Sequence, residues 1–516
     1  MTLGQNPQQP RQAAPIIPAQ RGRVTMLRFR AFQAIMTGLV LRLFFAFRYP
    51  TSTDDSNAYL QLAHNWIDHH VYGLWINGRL VPTDLRMPGY PAFLAGVAMM
   101  LGRSLGAISL SQAFIDLGTC CLTAVLAVGL APVGARRAAW IAGLWLAATC
   151  PFIANYTAVV LTETLVTFFA TAALACFILG LRQNPSEIEN QRRFSPLGYA
   201  ACGSFLTGLA TLVRPEMPLL VGVAGIVYVL RLWSHLNLRK IVLLGAAMVG
   251  AFLLPLAPWA ARNFVTLHKV EILAPRFVTL PGEYAPVGYY AWTKTWLERY
   301  RDVYLSVWKI GEEPVDVDDL PAMAFDSPRE KARITALFAQ YNKSDDLDIS
   351  PEMDHEFAEI AAERTRRDPL RTYLRAPFQR ALSIWFTPRT ELLPIDGKLW
   401  PLADQWRDSA GDVLTTAGFG ALGYLYVALA AGGVWIAWRS SRKAVGAAGS
   451  REDLRDGPNL WGIALLLVYL FVRTLFLTTV EAPEPRYVVS CYPAVLAMIA
   501  LLFAGGSNQR SSTGSG

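Results

Sequence analysis

The stretch Thr53-Asp54-Asp55-Ser56-Asn57-Ala58-Tyr59, with Arg86-Met87-Pro88-Gly89-Tyr90-Pro91 beyond it, decides the reading of this chain. It follows the first long apolar run, about residues 31 to 49, so two adjacent carboxylates lie just past a hydrocarbon boundary. Charge is costly there and marks function by default. The pattern reads as a catalytic loop.

Outward from that junction, apolar runs near the ~20 residues needed to cross a bilayer recur along the chain. The 516 residues are 53% hydrophobic and 17% charged, with mean hydropathy +0.29. That composition excludes a soluble multidomain protein and predicts an all-α polytopic membrane protein. The net charge of +8 does not imply nucleic acid. Arg and Lys gather in short loops between apolar runs, which is how membrane orientation is set. The cysteines Cys120, Cys121, Cys150, Cys176, Cys202 and Cys491 fall in or beside those runs without the spacing of a zinc site. They read as small packed residues.

Basic clusters then assign sides. Residues 1–30, rich in Pro, Gln and Arg, read as a disordered cytoplasmic tail followed by an uncleaved first span. Residues 31–261 form a transmembrane module whose first outer loop covers 50–106. Within that loop Asp55 to His70 has the spacing of an amphipathic surface helix. The run Tyr90 to Leu101 is short for a span, and a non-crossing helix there keeps Arg136 and Arg137 inside. Residues 262–411 are polar and read as an extracytoplasmic region with amphipathic helices, Tyr373 to Phe386 lying on the membrane. Residues 412–506 add the last transmembrane helices, and 507–516 form a cytoplasmic tail. The expected spans are about 31–49, 107–130, 137–157, 164–181, 196–213, 217–232, 241–260, 413–437, 459–479 and 487–505, ten in all.

On this topology Asp54, Asp55, Arg86, Glu163, Arg214, Glu216, Arg262, Glu481, Glu484 and Arg486 meet on the outer side from separate loops. Carboxylates able to deprotonate a hydroxyl, with guanidinium forks able to hold a departing phosphate, are what phosphate-leaving group transfer needs. No Walker loop or dinucleotide fingerprint is present, which favours a donor other than a nucleotide sugar.

Asp55-x-x-x-Tyr59, Arg86-x-Pro88-Gly89-Tyr90-Pro91, Leu161-Thr162-Glu163-Thr164, Arg214-Pro215-Glu216, Pro258-Trp259-x-x-Arg262-Asn263 and Glu484-x-Arg486-Tyr487 together resemble the GT-C superfamily of integral-membrane glycosyltransferases. Within it they look most like glycosyltransferase family 39, the branch of aminoarabinose transferases and protein O-mannosyltransferases. The likeness covers about 31 to 265 and the last hundred residues.

The resemblance implies a GT-C fold of about ten transmembrane helices with surface juxtamembrane helices, in the inner membrane, with the active site on the extracytoplasmic face. It implies inverting transfer of a sugar from a polyprenyl-phosphate donor to a hydroxyl of an acceptor lipid, glycan or protein. Asp55 matches the family's first-loop acid, with Asp54 beside it as the other possible base, and Glu163 matches the acid of the second outer loop. Arg214, Arg486, Arg262 and Arg86 are candidates for the donor phosphate, with Tyr59, Tyr90, Glu216 and Tyr487 in the substrate site.

Plainer readings stand beside these. Asp55 also suits an N-cap, Glu163 a helix start and Arg214 a snorkelling position. No cofactor is expected; a divalent metal near Asp68, His69 and His70 is a weak alternative. Tyr289, Tyr290, Trp292 and Trp296 suit either stacking on sugar rings or packing a small domain. The rival functions are a polyprenyl-phosphate flippase or transporter, for which the chain shows no internal repeat and no midspan acids opposed to one another, apart from Asp116 inside the second span, which suits a tie to a neighbouring helix, and a glycan ligase of related fold.

Overall fold

The computed structural model describes residues 18–183, 196–277, 284–447 and 457–504. The start of the expected tail through residue 17, Arg192 and Arg193, residues 448–456 of the basic loop and the tail 507–516 lie outside the described residues.

Helix α1 covers Pro18–Arg48. It begins inside the stretch expected to be disordered, because Pro18 suits a first helical position and Ala, Gln, Arg, Met and Leu follow it. Helix α2, Asp54–His69, starts on a capping box in which Thr53 accepts from Ser56 N and Ser56 accepts from Thr53 N. Thr53 is therefore the N-cap, and Asp55 is released from that role. A hairpin that the hydrophobic pattern did not reveal follows, β1 Gly73–Ile76 against β2 Arg79–Pro82. Its two-residue loop, Asn77 and Gly78, has φ 49° and 74°, the left-handed pair that right-twisted hairpins require.

Helix α3 is Gly89–Leu101, 13 residues, and α4 is Leu105–Leu130. Next come α5 Arg136–Ala148, α6 Pro151–Ala154, α7 Glu163–Arg182, α8 Pro196–Val213, α9 Pro218–Leu232, α10 Leu238–Leu253 and α11 Ala257–Leu267. Two expected spans are broken rather than straight. The pair Val133–Ala148 and Pro151–Ala158 bends by 51°, and the pair Leu238–Leu253 and Ala257–Leu267 by 54°. Prolines 151, 255 and 258 lack the donor and the room that a continuous helix needs.

Among the described residues seven helices are long and apolar enough to cross a membrane, and up to nine if each bent pair is one span. The tenth expected span corresponds to α9, whose 15 residues rise only about 22 Å. Like α3, it is a shorter apolar helix.

The polar stretch after α11 contains α12 Val287–Lys294, α13 Pro328–Tyr341, α14 Pro351–Arg367 and α15 Ala376–Phe386. Its core is aromatic: Tyr289, Trp292, Trp296, Phe338 and Phe357 are buried together. Three of the four proposed sugar-stacking rings thus pack a small domain instead. Before and within α15, Tyr373, Leu374 and Phe378 are exposed, while Arg380 turns inward and donates to the carbonyls of Leu297 at 2.7 Å and Thr478 at 2.8 Å, and to that of Lys294. The last helices are α16 Leu402–Ala447, kinked at Ser409, α17 Leu460–Leu477, and α18 Tyr492–Ile499 within the apolar run Pro485–Ala504.

Polar side chains inside the bundle are satisfied locally. Thr167, Thr171, Thr207 and Thr211 each donate to the carbonyl four residues back. Arg42 of α1 pairs with Asp116 of α4 at 2.7 Å, both side chains fully buried. At one end of the bundle Arg182 donates to the carbonyls of Gly129 and Ala131, and Asn459 to those of Gly129 and Ile178. The opposite end carries the charged loops.

Candidate active site

Six separate elements bring side chains to that charged end. Asp55 comes from the first turn of α2, and Arg86 from the chain after β2. Glu163 is the first residue of α7; Arg214 and Glu216 form the turn between α8 and α9; Glu484, Arg486 and Tyr487 enter the last span. With Tyr59 and Arg276 they enclose a cavity of about 210 Å³, although Glu484 stands behind its lining.

Asp55 is the hub. Its Oδ1 lies 2.5 Å from Arg86 Nη2, and its Oδ2 accepts from Arg486 Nη2 at 3.1 Å. Burial alone would raise its carboxyl pKa, but Arg86 and Arg486 outweigh burial and hold it below the usual carboxylate range. Arg486 also meets Glu484, Nε at 2.6 Å from Oε2 and Nη2 donating to Oε1 at 3.1 Å. Tyr487 Oη donates to the same Oε1 at 2.8 Å. Glu484 is nonetheless pushed up, because burial dominates over Arg486 and Tyr487. Two neighbouring carboxylates thus have their pKa values driven in opposite directions.

A second layer is built on Arg214. It donates from Nη1 to Glu163 Oε1 at 2.9 Å, and its Nε lies 2.8 Å from Glu216 Oε1. Its guanidinium also sits 4.8 Å over the Tyr487 ring. Glu216 is reached from the other side by the buried Arg473, whose Nη2 also donates to Tyr487 O at 3.0 Å. Burial would raise the Glu216 carboxyl, and Arg214 and Arg473 hold it below its ordinary value.

The hinge of the first loop is fixed from below. Tyr72 Oη donates to Arg86 O at 2.9 Å. Tyr59, under the Arg86 guanidinium at 5.8 Å, packs edge-on against Tyr90, and burial pushes its hydroxyl up to about 12. Tyr90 Oη donates to Gln112 on α4, and Gln112 donates in turn to the carbonyls of Thr157 and Val159. One buried amide therefore ties the loop carrying Arg86 to the segment leading into Glu163.

Of the residues expected in the site, Asp55, Glu163, Tyr59, Arg86, Arg214, Glu216, Arg486 and Tyr487 line the cavity. Asp54 is exposed and outside that lining, and Tyr90 lies buried beneath it. Arg262 is elsewhere: it donates to the carbonyls of Thr83 and Tyr72 and stacks over Tyr72 and Trp259, bracing the hairpin. Among the described residues no group of three His, Cys, Asp or Glu is arranged to hold a metal ion. Asp68 pairs instead with Arg103, and His69 packs edge-on against Trp75.

Three residues of the neighbourhood were not singled out from sequence. Arg473 had a legible signal, a lone charge in the apolar run of α17. Arg389 is fully buried and donates to Pro485 O at 2.6 Å, bracing the residue before Arg486. Arg276 had no signal in its surroundings.

Beside the charged cavity runs an apolar groove of about 950 Å³, lined by Pro218, Leu219 and Val223 of α9 and Val472 and Phe476 of α17. The two spaces share Arg214, Glu216, Arg276 and Tyr487.

No family model and no curated protein sequence matches the chain. Among solved structures it is similar to the archaeal oligosaccharyltransferase AglB from Archaeoglobus fulgidus in complex with an inhibitory peptide and a dolichol-phosphate. That likeness has 14% identity and TM-score 0.46 and covers 92% of this chain and 50% of that one. It is also similar to ArnT from Cupriavidus metallidurans bound to undecaprenyl phosphate, with 14% identity, TM-score 0.35, and coverage of 96% and 79%. The chain spans about half the length of the archaeal chains it matches.

Proposed function

We propose that this protein is an inverting glycosyltransferase that moves a sugar from a polyprenyl-phosphate carrier to a hydroxyl acceptor on the extracytoplasmic side of the membrane. The observation that carries the reading is the position of Asp55, an ionised carboxylate clasped by Arg86 and Arg486 in a cavity that opens beside an apolar groove. In this reading the groove takes the polyprenyl chain, and the charged end takes the phosphate and sugar.

In this reading Asp55 takes the proton of the acceptor hydroxyl as that oxygen attacks the anomeric carbon. The bond from that carbon to the phosphate oxygen breaks, and its electron pair leaves on the phosphate. Glu163, held by Arg214, orients the acceptor. Guanidinium groups already fixed by carboxylates need little reorganisation as charge develops on the leaving phosphate. The sidedness is supported by the basic residues Arg136, Arg137, Arg182, Arg231, Arg239 and Lys240, which lie at the helix ends opposite the cavity.

The test is transfer by purified protein in lipid, with polyprenyl-phosphate sugars offered singly and release of polyprenyl phosphate followed. Release that disappears in Asp55→Asn supports the proposal. Movement of the same lipids across the bilayer without release would replace it with a flippase.

A further inference from the structure

One charged residue beside the site has no part in the mechanism above. Arg473 is the single charge among the 18 residues of α17, and its side chain is 1% exposed. It lines neither the charged cavity nor the groove, although its helix neighbours Val472 and Phe476 line the groove. A guanidinium inside an apolar helix is costly and marks function by default. Hydrogen bonding does not offset that cost fully, because among the described residues Arg473 Nε and Nη1 are buried without a partner.

Its contacts to the site come from one nitrogen. Arg473 Nη2 donates to Tyr487 O at 3.0 Å and lies 3.4 Å from Glu216 Oε1. Each contact leads into one layer of the site. Glu216 Oε1 is also held by Arg214 Nε at 2.8 Å, and Arg214 Nη1 donates to Glu163 Oε1 at 2.9 Å. Tyr487 follows Arg486, which donates to Asp55 Oδ2 at 3.1 Å, and both Arg486 and Tyr487 donate to Glu484. Asp55 of α2 and Glu163 of α7 are therefore tied to the same buried nitrogen. Charge makes the tie matter. Without Arg473, Arg214 would face Glu163 and Glu216 alone and leave a net negative charge; with it, the four groups alternate in sign from α17 to α7 and balance.

We infer that Arg473 is a positioning residue for sugar transfer, acting through Glu216 and the Tyr487 carbonyl to hold Glu163 and Asp55 in register around the reacting hydroxyl. The inference rests on the transferase reading above. Arg473 touches no substrate in that reading, since it stands behind the lining of both spaces. Its loss leaves the donor's own contacts in place and slows the step in which the two carboxylates act together. The plainer alternative is a buried ion pair that only steadies α17 against α9. It predicts lost stability and unchanged turnover by the protein that remains folded.

The experiment offers undecaprenyl-phosphate sugars singly to the full chain in nanodiscs and follows release of undecaprenyl phosphate, with kcat and KM per folded protein and the unfolding temperature recorded for every variant. Arg473→Met should lower kcat by about 10- to 100-fold with KM for the donor little changed. Arg473→Lys, which keeps the charge without the guanidinium's reach, should recover part of that loss. Arg473→Met also leaves Glu216 short of a cation, so the double variant Arg473→Met with Glu216→Gln is measured beside it. Removing both charges should restore the unfolding temperature while kcat stays low. A double variant whose kcat returns together with its unfolding temperature, or a wild-type kcat in Arg473→Met, overturns the inference and leaves the transferase reading standing. No Asp55-dependent release by wild type from any donor overturns both.

Discussion

Asp55 and Arg486 stand 431 positions apart in the chain and share a hydrogen bond of 3.1 Å. The carboxylate comes from the first turn of a surface helix, the guanidinium from the entry to the last span. Substitution at the carboxylate should therefore separate chemistry from folding. Asp55→Asn keeps the shape and a hydrogen-bond acceptor but removes the base, and transfer should fall by about 100- to 10,000-fold, while the protein still folds and inserts with an unfolding temperature lowered only by the loss of the ion pairs to Arg86 and Arg486. Asp54→Asn, at an exposed position outside the cavity, should retain transfer within a few-fold. The reverse ranking in a transfer assay would assign the base to Asp54.

The opposite shifts of Asp55 and Glu484 give the pH dependence a sign. Asp55 is depressed in the fold, so the stability it contributes is present above its unfolded pKa of about 3.9 and lost as pH falls through the folded value. Glu484 is raised, so its contribution is complete below about pH 4.3 and is lost as pH rises through its folded value. Glu484→Gln removes that second dependence. The unfolding temperature of wild type relative to Glu484→Gln should decline as pH rises above about 4.3. A pH-independent difference between the two proteins would show that Glu484 is not raised.

Much of this candidate site is legible in the sequence, because acids and arginines next to apolar runs are rare enough to stand out, and because the basic residues between those runs group the loops. Asp55, Glu163, Arg214 and Arg486 could be grouped on that ground alone. Arg262 looked equivalent in the same pattern, yet its bonds go to the hairpin carbonyls; sequence gives the side of a residue, not the direction of its side chain. The hairpin was signalled by Asn77-Gly78, a two-residue loop between Trp75-Ile76 and Leu80-Val81, but it is too short to register as hydrophobic periodicity. Span lengths were readable and bends less so, since Pro151, Pro255 and Pro258 mark a break without fixing its angle.

Inside the bundle, Arg42 donates to the carbonyl of Ala148 at 2.7 Å as well as pairing with Asp116. It therefore caps α5 at the break that leads toward Glu163. Asp116→Ala leaves a fully buried guanidinium without its counter-charge, a loss that typically costs about 3 to 5 kcal/mol. The expected result is a large drop in unfolding temperature, with much of it recovered when Arg42→Met is added, since removing both charges removes the buried imbalance. An Asp116→Ala protein as stable as wild type would mean that water or a neighbouring group neutralises Arg42.

Gly89 has no side chain for a reason that concerns the site. A Cβ built there would stand 2.6 Å from Leu212 O and 2.8 Å from Leu212 C, both backbone atoms of α8, which cannot swing aside as a side-chain tip would. Gly89→Ala must therefore push the start of α3 away from the end of α8. Arg86 lies three residues before it, its carbonyl held by Tyr72, and Arg214 lies two residues beyond Leu212. The substitution thus separates the guanidinium on Asp55 from the one on Glu163. Misplacement by an ångström can cost about 100-fold in rate, so transfer should fall by about 10-fold or more while the protein still inserts and purifies as a folded species. Met87→Ala, which trims a buried side chain of the same loop without forcing the backbone apart, should cost stability more than rate. Equal kinetic effects of the two substitutions would show that packing of the loop, and not the approach of α3 to α8, sets the geometry around Asp55.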